Sequence, residues 1–530
     1  MSLVGTSIVH KLNIYGIIVI VVCTSSTQAL AGSFQLSEQS VSGLGVAFAG
    51  AAASAEDASI LFYNPAGIAQ LPQSELQLGL HVIAPTVEFR NEGTRYDVPG
   101  TPLNGFPVRG DNGGDAGVTS EIPNLYLTEP VFRGTKYGDL SVGVGVNAPF
   151  GLETDYDPGW VGRYAALRTK VTTLDIQPTF GWRFFNKFSF GASVDVQRAS
   201  GRLTQAIDFG LAAQQPLTQF FAALPSILAM RGVPPSAIPG IVSATERAYA
   251  SAGFVPGGLD GVSEVQGSDW AVGFTLGALI EYRDAGQDGG FLQDGRLGFS
   301  YRSPIEHTLD GTVDFRRVPL ITASGAPVQF PDATAFKDIF FPQGAAATLQ
   351  LPDIFHASIY QRFARQYALL GDITWTNWDR LQSIPITFAS GKTPGTALNI
   401  NYEDTVLYAL GFEWYPCTNL TLRSGFAYDE TPIKSDLFRT PRIPDNDRYI
   451  LSGGLRWSAT RWMDVDLAYA HFFLNDLRSD FGDGQGHELI GRYAVQADIV
   501  SAAVTIRWGG SANARGQIQN NDWNLEPMAK

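Results

Sequence analysis

From Leu76 to Trp508 the sequence alternates apolar and polar residues with a period of two, segment after segment. That period marks β-strands whose two faces meet different surroundings. In Asp139–Asn147, one face carries Leu140, Val142, Val144 and Val146, and the other carries Ser141, Gly143, Gly145 and Asn147. Leu174 to Phe184 and Phe188 to Gln197 repeat the pattern on either side of a turn at Asn186-Lys187, and it returns at Trp270–Tyr282, Val406–Trp414, Leu420–Tyr428, Met463–Tyr469 and Val500–Trp508. About fourteen such segments can be counted, many near the 9–11 residues that a tilted strand needs to cross a bilayer. Strands apolar on one face and polar on the other predict an all-β transmembrane antiparallel barrel. Closure of such a sheet pairs every backbone N–H and C=O, as lipid demands. Trp182, Trp414-Tyr415, Trp457, Trp462 and Trp508 stand near segment ends, where interfacial aromatic girdles belong. A soluble β-sandwich is the alternative that two-faced strands leave open.

No stretch beyond the N-terminus approaches the roughly 20 apolar residues of a spanning helix. There, His10-Lys11 precedes the apolar run Ile14–Val22, and Ala29-Leu30-Ala31 offers a small-x-small cleavage site. Residues 1–31 thus read as a secretory signal peptide, with an uncleaved anchor as the alternative. Their removal leaves 36 basic against 51 acidic side chains, a net charge of −15, which excludes a nucleic-acid partner. Only Cys417 then remains, so no intrachain disulfide or CxxC pair can form. Charged residues make up 17% of the chain, below the quarter or so usual in soluble domains. Together with export, this places the protein in the bacterial outer membrane.

The connections are unequal, as in barrels with short turns on one side and long loops on the other. Arg365-Gln366, Pro416–Asn419 and Ala459–Arg461 read as short periplasmic turns, and 201–268 and 318–351 as long extracellular loops. The first loop carries Phe209, Phe220, Phe221, Leu224 and Leu228 at helical spacing, interrupted by Pro216, Pro225 and Pro234-Pro235. The second carries Phe330, Phe336 and Phe340. Apolar surface on this scale marks a binding or membrane-contact site, unless each loop buries a small core of its own. Residues 32–75 are rich in small side chains, and Asn64-Pro65-Ala66-Gly67 forms a tight-turn signal. Their length suits a lumen-filling plug. A polar tail occupies 509–530.

Gly32-Ser33-Phe34-Gln35-Leu36, Ser42-Gly43-Leu44-Gly45, Asn64-Pro65-Ala66, Leu351-Pro352-Asp353, Thr376-Asn377-Trp378 and Ile443-Pro444-Asp445-Asn446-Asp447-Arg448 occur in that order. As an ordered set spanning about 32–508, they resemble the FadL family of outer-membrane transporters for long-chain fatty acids, which includes aromatic-hydrocarbon channels. The resemblance implies a monomeric, fourteen-stranded barrel closed by an N-terminal hatch, with Asn64, Pro65 and Ala66 in its gating turn. It implies no cofactor or metal, and cargo of long-chain fatty acids or neutral hydrocarbons, set among outer-membrane lipid and lipopolysaccharide. Cargo would land between extracellular loops, enter a pocket beside the hatch, and leave sideways where the third strand is kinked. On this reading Phe34, Phe209, Phe220, Phe221, Phe336 and Phe340 form the hydrophobic route, and Gly151, Leu152, Glu153 and Thr154 the kink. Fatty-acid members place basic side chains near the pocket. Gln205 and Leu398 stand at those places here, leaving Arg202 as the nearby substitute.

Other chemistry finds little support. No G-x-S-x-G elbow is present. His81, His307, His356, His471 and His487 lack H-E-x-x-H or other ligand spacing. A general porin would line its pore with charge rings and have no use for apolar loops and a plug.

Overall fold

Alternate residues of each strand meet two unlike media, and the burial pattern is inside-out. In β1 (Ser74–Asn91), Leu78 and Leu80 are exposed while Gln77 and His81 are buried. The computed structural model describes residues 33–283, 291–317, 339–393 and 395–509. The expected signal peptide, Gly32, Phe330, Phe336 and nearly all of the 509–530 tail lie outside them. No helix among the described residues is long and apolar enough to cross a membrane.

After β1 come β2 (Ser120–Thr135), β3 (Gly138–Asn147, then Gly151–Asp155), β4 (Arg168–Phe184), β5 (Phe188–Asp208) and β6 (Asp260–Arg283). β7 (Leu292–Arg302, then Ile305–Arg316) and β8 (Gln343–Leu351, then Ile354–Phe363) each run in two halves. β9 (Tyr367–Thr376), β10 (Thr405–Cys417), β11 (Leu420–Asp429), β12 (Arg448–Thr460), β13 (Met463–Leu474) and β14 (His487–Trp508) complete the wall. Neighbours pair antiparallel, and β1 closes on β14 from Ser74↔Trp508 to Asn91↔Gly491, giving a closed fourteen-stranded barrel. Tight turns at 185–187, 364–366, 418–419 and 461–462 mark one rim. Trp182, Trp414, Trp457 and Trp462 are exposed on the outer surface near it.

On the opposite rim the strands run far past the membrane. β6 has 24 residues, about 80 Å at roughly 3.3 Å per residue. This corrects the first long loop: β5 continues to Asp208 and β6 resumes at Asp260, so the loop proper is 209–259. It folds into α-helices at Phe209–Ala212, Gln214–Met230 and Ile238–Ser251. Pro225 does not cut the second of these as expected. Leu217, Phe220, Leu224 and Leu228 bury one face of that helix, and their packing offsets the roughly 3 kcal/mol that an interior proline costs. Likewise, Gln343–Leu351 of the second expected loop is strand.

Residues 33–73 pack against the inward faces of the wall. A row of cross-strand glycines, Gly181↔Gly191↔Gly277, crosses β4, β5 and β6. The Asn64-Pro65-Ala66 turn lies on it so closely that a Cβ on Gly191 would stand 2.3 Å from Ala66 N. Asn64 Nδ2 donates to Ala278 O at 3.0 Å. Charge fixes the other side of the segment. Arg423 binds Glu56, Glu413 and Asp466 at 2.6, 2.9 and 2.9 Å, and Arg456 binds Asp57.

Candidate functional site

The extended rim encloses a cavity of about 1710 Å³ between the long connections and strand extensions of that rim. Its apolar lining includes Ile207, Phe315, Phe340, Phe388, Leu398 and Phe481. Phe340 packs edge-on to Phe315 and Phe209, with ring centroids 5.4 and 5.1 Å away. Phe481 and the partly buried Leu398 also belong to an apolar cluster that reaches down to Phe34, Phe150, Leu152 and Trp378. Greasy packing is therefore continuous from the cavity to the tip of the N-terminal segment.

Five ionisable side chains line this cavity: Asp208, Arg442, Asp483, His487 and the Tyr164 phenol. Asp208 caps the helix Phe209–Ala212 by accepting from Leu211 N, and also accepts from Gly257 N, each at 2.8 Å. His487 Nδ1 lies 2.7 Å from Asp483 Oδ2, and its ring stacks on Tyr164 at 4.0 Å. Arg442 differs from these. It is buried, and its hydrogen bonds go to neutral oxygens: Gln205 Oε1 at 2.6 Å, Thr169 Oγ1 at 3.1 Å and Thr204 O at 3.5 Å. Among the described residues no carboxylate forms an ion pair with it. Burial, opposed only by Tyr156, lowers its pKa to about 10.

The sequence-predicted contacts fare unevenly. Phe340 lines the cavity, whereas Phe209, Phe220 and Phe221 pack with Tyr249 and Phe254 in a core belonging to the helical loop. Arg202 is a correction. It is not on the cavity lining, and pairs with Glu264 at 2.7 Å while remaining 46% exposed. One residue of register separates the two faces of a strand, and its neighbours Leu203 and Gln205 face the cavity instead. No spacing rule in the sequence points to Arg442, which is 237 residues from Gln205 and meets it only in the fold.

The break in the third strand lies at Ala148–Phe150, just before the expected Gly151–Thr154. Those four residues are regularly paired with β4, from Gly151↔Thr172 to Thr154↔Thr169. Pro149 supplies no ladder donor. On the other side, β2 pairs with β3 only from Leu125 onward, so Ser120–Asn124 pair with β1 alone. Pro123 in that edge is consistent with missing pairing. The N-terminal segment covers the break: Leu36 N donates to Pro149 O at 2.8 Å and Gly151 N to Phe34 O at 2.7 Å, flanking a Gln35↔Phe150 bridge. Phe34 is buried there, 5.1 Å from Trp378 and 5.9 Å from Phe150 between ring centroids.

Residues 21–508 match the family model described as outer membrane protein transport protein (OMPP1/FadL/TodX). The long-chain fatty acid transport protein of Escherichia coli K12 is 26% identical, over 85% of this chain and 90% of that protein. Outer membrane protein P1 of Haemophilus influenzae is 25% identical, over 84% and 86%. Among solved structures, a FadL homologue from Pseudomonas aeruginosa aligns with a TM-score of 0.71 at 23% identity, covering 90% of this chain and all of that one. The toluene transporter TodX of Pseudomonas putida aligns at 0.56 and 16% identity, covering 90% and 99%.

Proposed function

Because the chain belongs to the OMPP1/FadL/TodX family of outer membrane transport proteins, we propose that its cargo is long-chain fatty acids, passively taken up through the loop cavity. It is a bacterial outer-membrane channel for hydrophobic compounds and not an enzyme. One observation carries the choice of cargo. Arg442 places a buried positive charge, without a carboxylate partner among the described residues, in the wall of a mostly apolar cavity whose other charged side chains, Asp208, Asp483 and His487, hold partners of their own. A fatty acid satisfies both features. Its chain gains about 0.8 kcal/mol for each CH₂ removed from water, and its carboxylate supplies the negative charge and bidentate acceptance that the neutral Gln205 oxygen lacks.

From the cavity, the apolar cluster leads past Phe34 to the break at Ala148–Phe150, where cargo leaves sideways into the membrane. The hatch, Asn64-Pro65-Ala66 included, gates this passage. The route keeps the alkyl chain out of water and out of the charged lipopolysaccharide leaflet. Because β1 closes directly on β14, one chain completes the channel, which supports a monomer. Neutral aromatic hydrocarbons are the second reading, favoured by the likeness to toluene transporters. They would leave Arg442 uncompensated.

Binding of oleate and of toluene to purified Arg442→Met and Arg442→Lys variants separates the two. A hydrogen bond to a charged group contributes about 1.5–3 kcal/mol, so Arg442→Met should bind oleate at least roughly tenfold more weakly. Toluene binding should stay within about twofold, and Arg442→Lys should recover part of the oleate affinity. Wild-type oleate affinity in Arg442→Met would overturn the fatty-acid reading.

A further inference from the structure

The segment that carries Arg442 touches every part of the proposed route. At one end, Tyr156 Oη donates to Pro441 O at 2.7 Å and Thr154 Oγ1 to Arg442 O at 3.4 Å. Thr154 belongs to the half of β3 beyond the break, and Tyr156 directly follows that half. At the other end, Asp445 Oδ2 accepts from Ser33 N at 3.1 Å and from Thr431 Oγ1 at 2.8 Å, and Asp445 Oδ1 lies 3.7 Å from Arg448. Ser33 Oγ adds a bond to Tyr402 Oη at 2.7 Å. Ser33 leads straight into Phe34 and Gln35, which bridge the break. Only two residues of chain, Ile443 and Pro444, thus separate the residue whose guanidinium lies in the cavity from the one whose carboxylate pins the hatch tip.

We propose that Thr440–Asp445 couples cavity occupancy to the hatch tip: an anionic ligand that draws Arg442 away from Gln205 and Thr204 shifts this segment and loosens Ser33–Leu36 from the break. The coupling rests on the reading of the cavity as a carboxylate site. Its direction follows from bond strengths. Arg442 now holds neutral acceptors, and a carboxylate competes for the same N–H groups with a full opposite charge and a geometry that accepts two of them in parallel. Asp445 divides its acceptance among Ser33, Thr431 and Arg448, so Ser33 can be released without leaving a bare charge. A neutral ligand gains nothing from moving Arg442 and shifts no population.

Amide exchange at Leu36 and Gly151 reads the tip directly, since their N–H groups bond across the break. It would be followed by mass spectrometry on the full protein in lipid nanodiscs, with oleate or dodecane, alongside an oleate titration of the same samples. Oleate should speed exchange at both amides at least threefold in the wild type, and dodecane should not. Arg442→Met should lose the oleate response. Asp445→Asn should exchange at least threefold faster than wild type before any ligand is added. Oleate binding to the wild type without a change at Leu36 and Gly151, or wild-type exchange in Asp445→Asn, would overturn the coupling alone. Failure of the wild type to bind oleate would overturn the carboxylate reading and the coupling together.

Discussion

A buried guanidinium without a carboxylate is costly to maintain, and Arg442 keeps its position only because Gln205, Thr169 and Thr204 accept from it. Arg202 represents the opposite case, an exposed cation neutralised by Glu264. Arg202→Ala should therefore change oleate uptake by less than about twofold, because surface ion pairs contribute 0–1 kcal/mol. A tenfold loss in a cell uptake assay would restore Arg202 to the route. Gly191 matters for the space it leaves. Gly191→Val would drive its Cβ to within 2.3 Å of backbone at Pro65 and Ala66, and close-packed interiors do not absorb such overlap. Liposomes carrying this variant should swell in small sugars several times faster than wild type; unchanged swelling would show that the turn does not gate passage. Neither residue's role was fully legible in the sequence. Gly191 appeared only as one more small residue in an alternating strand, and the value of Arg442 depends on a fold that brings it beside Gln205.

Among elements, strands were easier to read than loops, for a physical reason. Each strand of the wall separates lipid from a packed polar lumen, which forces the period of two on residues such as Leu140–Asn147 and Leu174–Phe184. Past the membrane that contrast fades, so β5 and β6 run on through residues that look like loop. The helical layer was visible in its 3–4 spacing, but its phenylalanines proved to serve one another. Phe220 is 5% exposed and packs on Phe221 and Tyr249. Phe220→Ala should accordingly loosen this layer by about 3–5 kcal/mol. Limited proteolysis should then cut within 209–259 much faster while the barrel keeps its heat-resistant migration on gels. Equal cleavage of mutant and wild type would contradict the packing.

For the whole molecule, period-two alternation and the ordered motifs pointed to the barrel and its likeness to a transporter family. The meeting of distant segments at the break was not legible, because Phe34, Phe150, Trp378 and Ile443 join one cluster only after the barrel closes. On this account the N-terminal tip is a removable patch over a defect in the wall. Its bridge, Gln35↔Phe150, offers a way to weld the patch in place, since directly opposed residues lie within disulfide reach. The decisive measurement is uptake of labelled oleate by cells carrying Gln35→Cys with Phe150→Cys, in a Cys417→Ser background to remove the exposed native thiol. Oxidised cells should take up oleate at least tenfold more slowly than the same cells after reduction, with barrel levels unchanged. Equal uptake with the cross-link fully formed would contradict exit through the third-strand break.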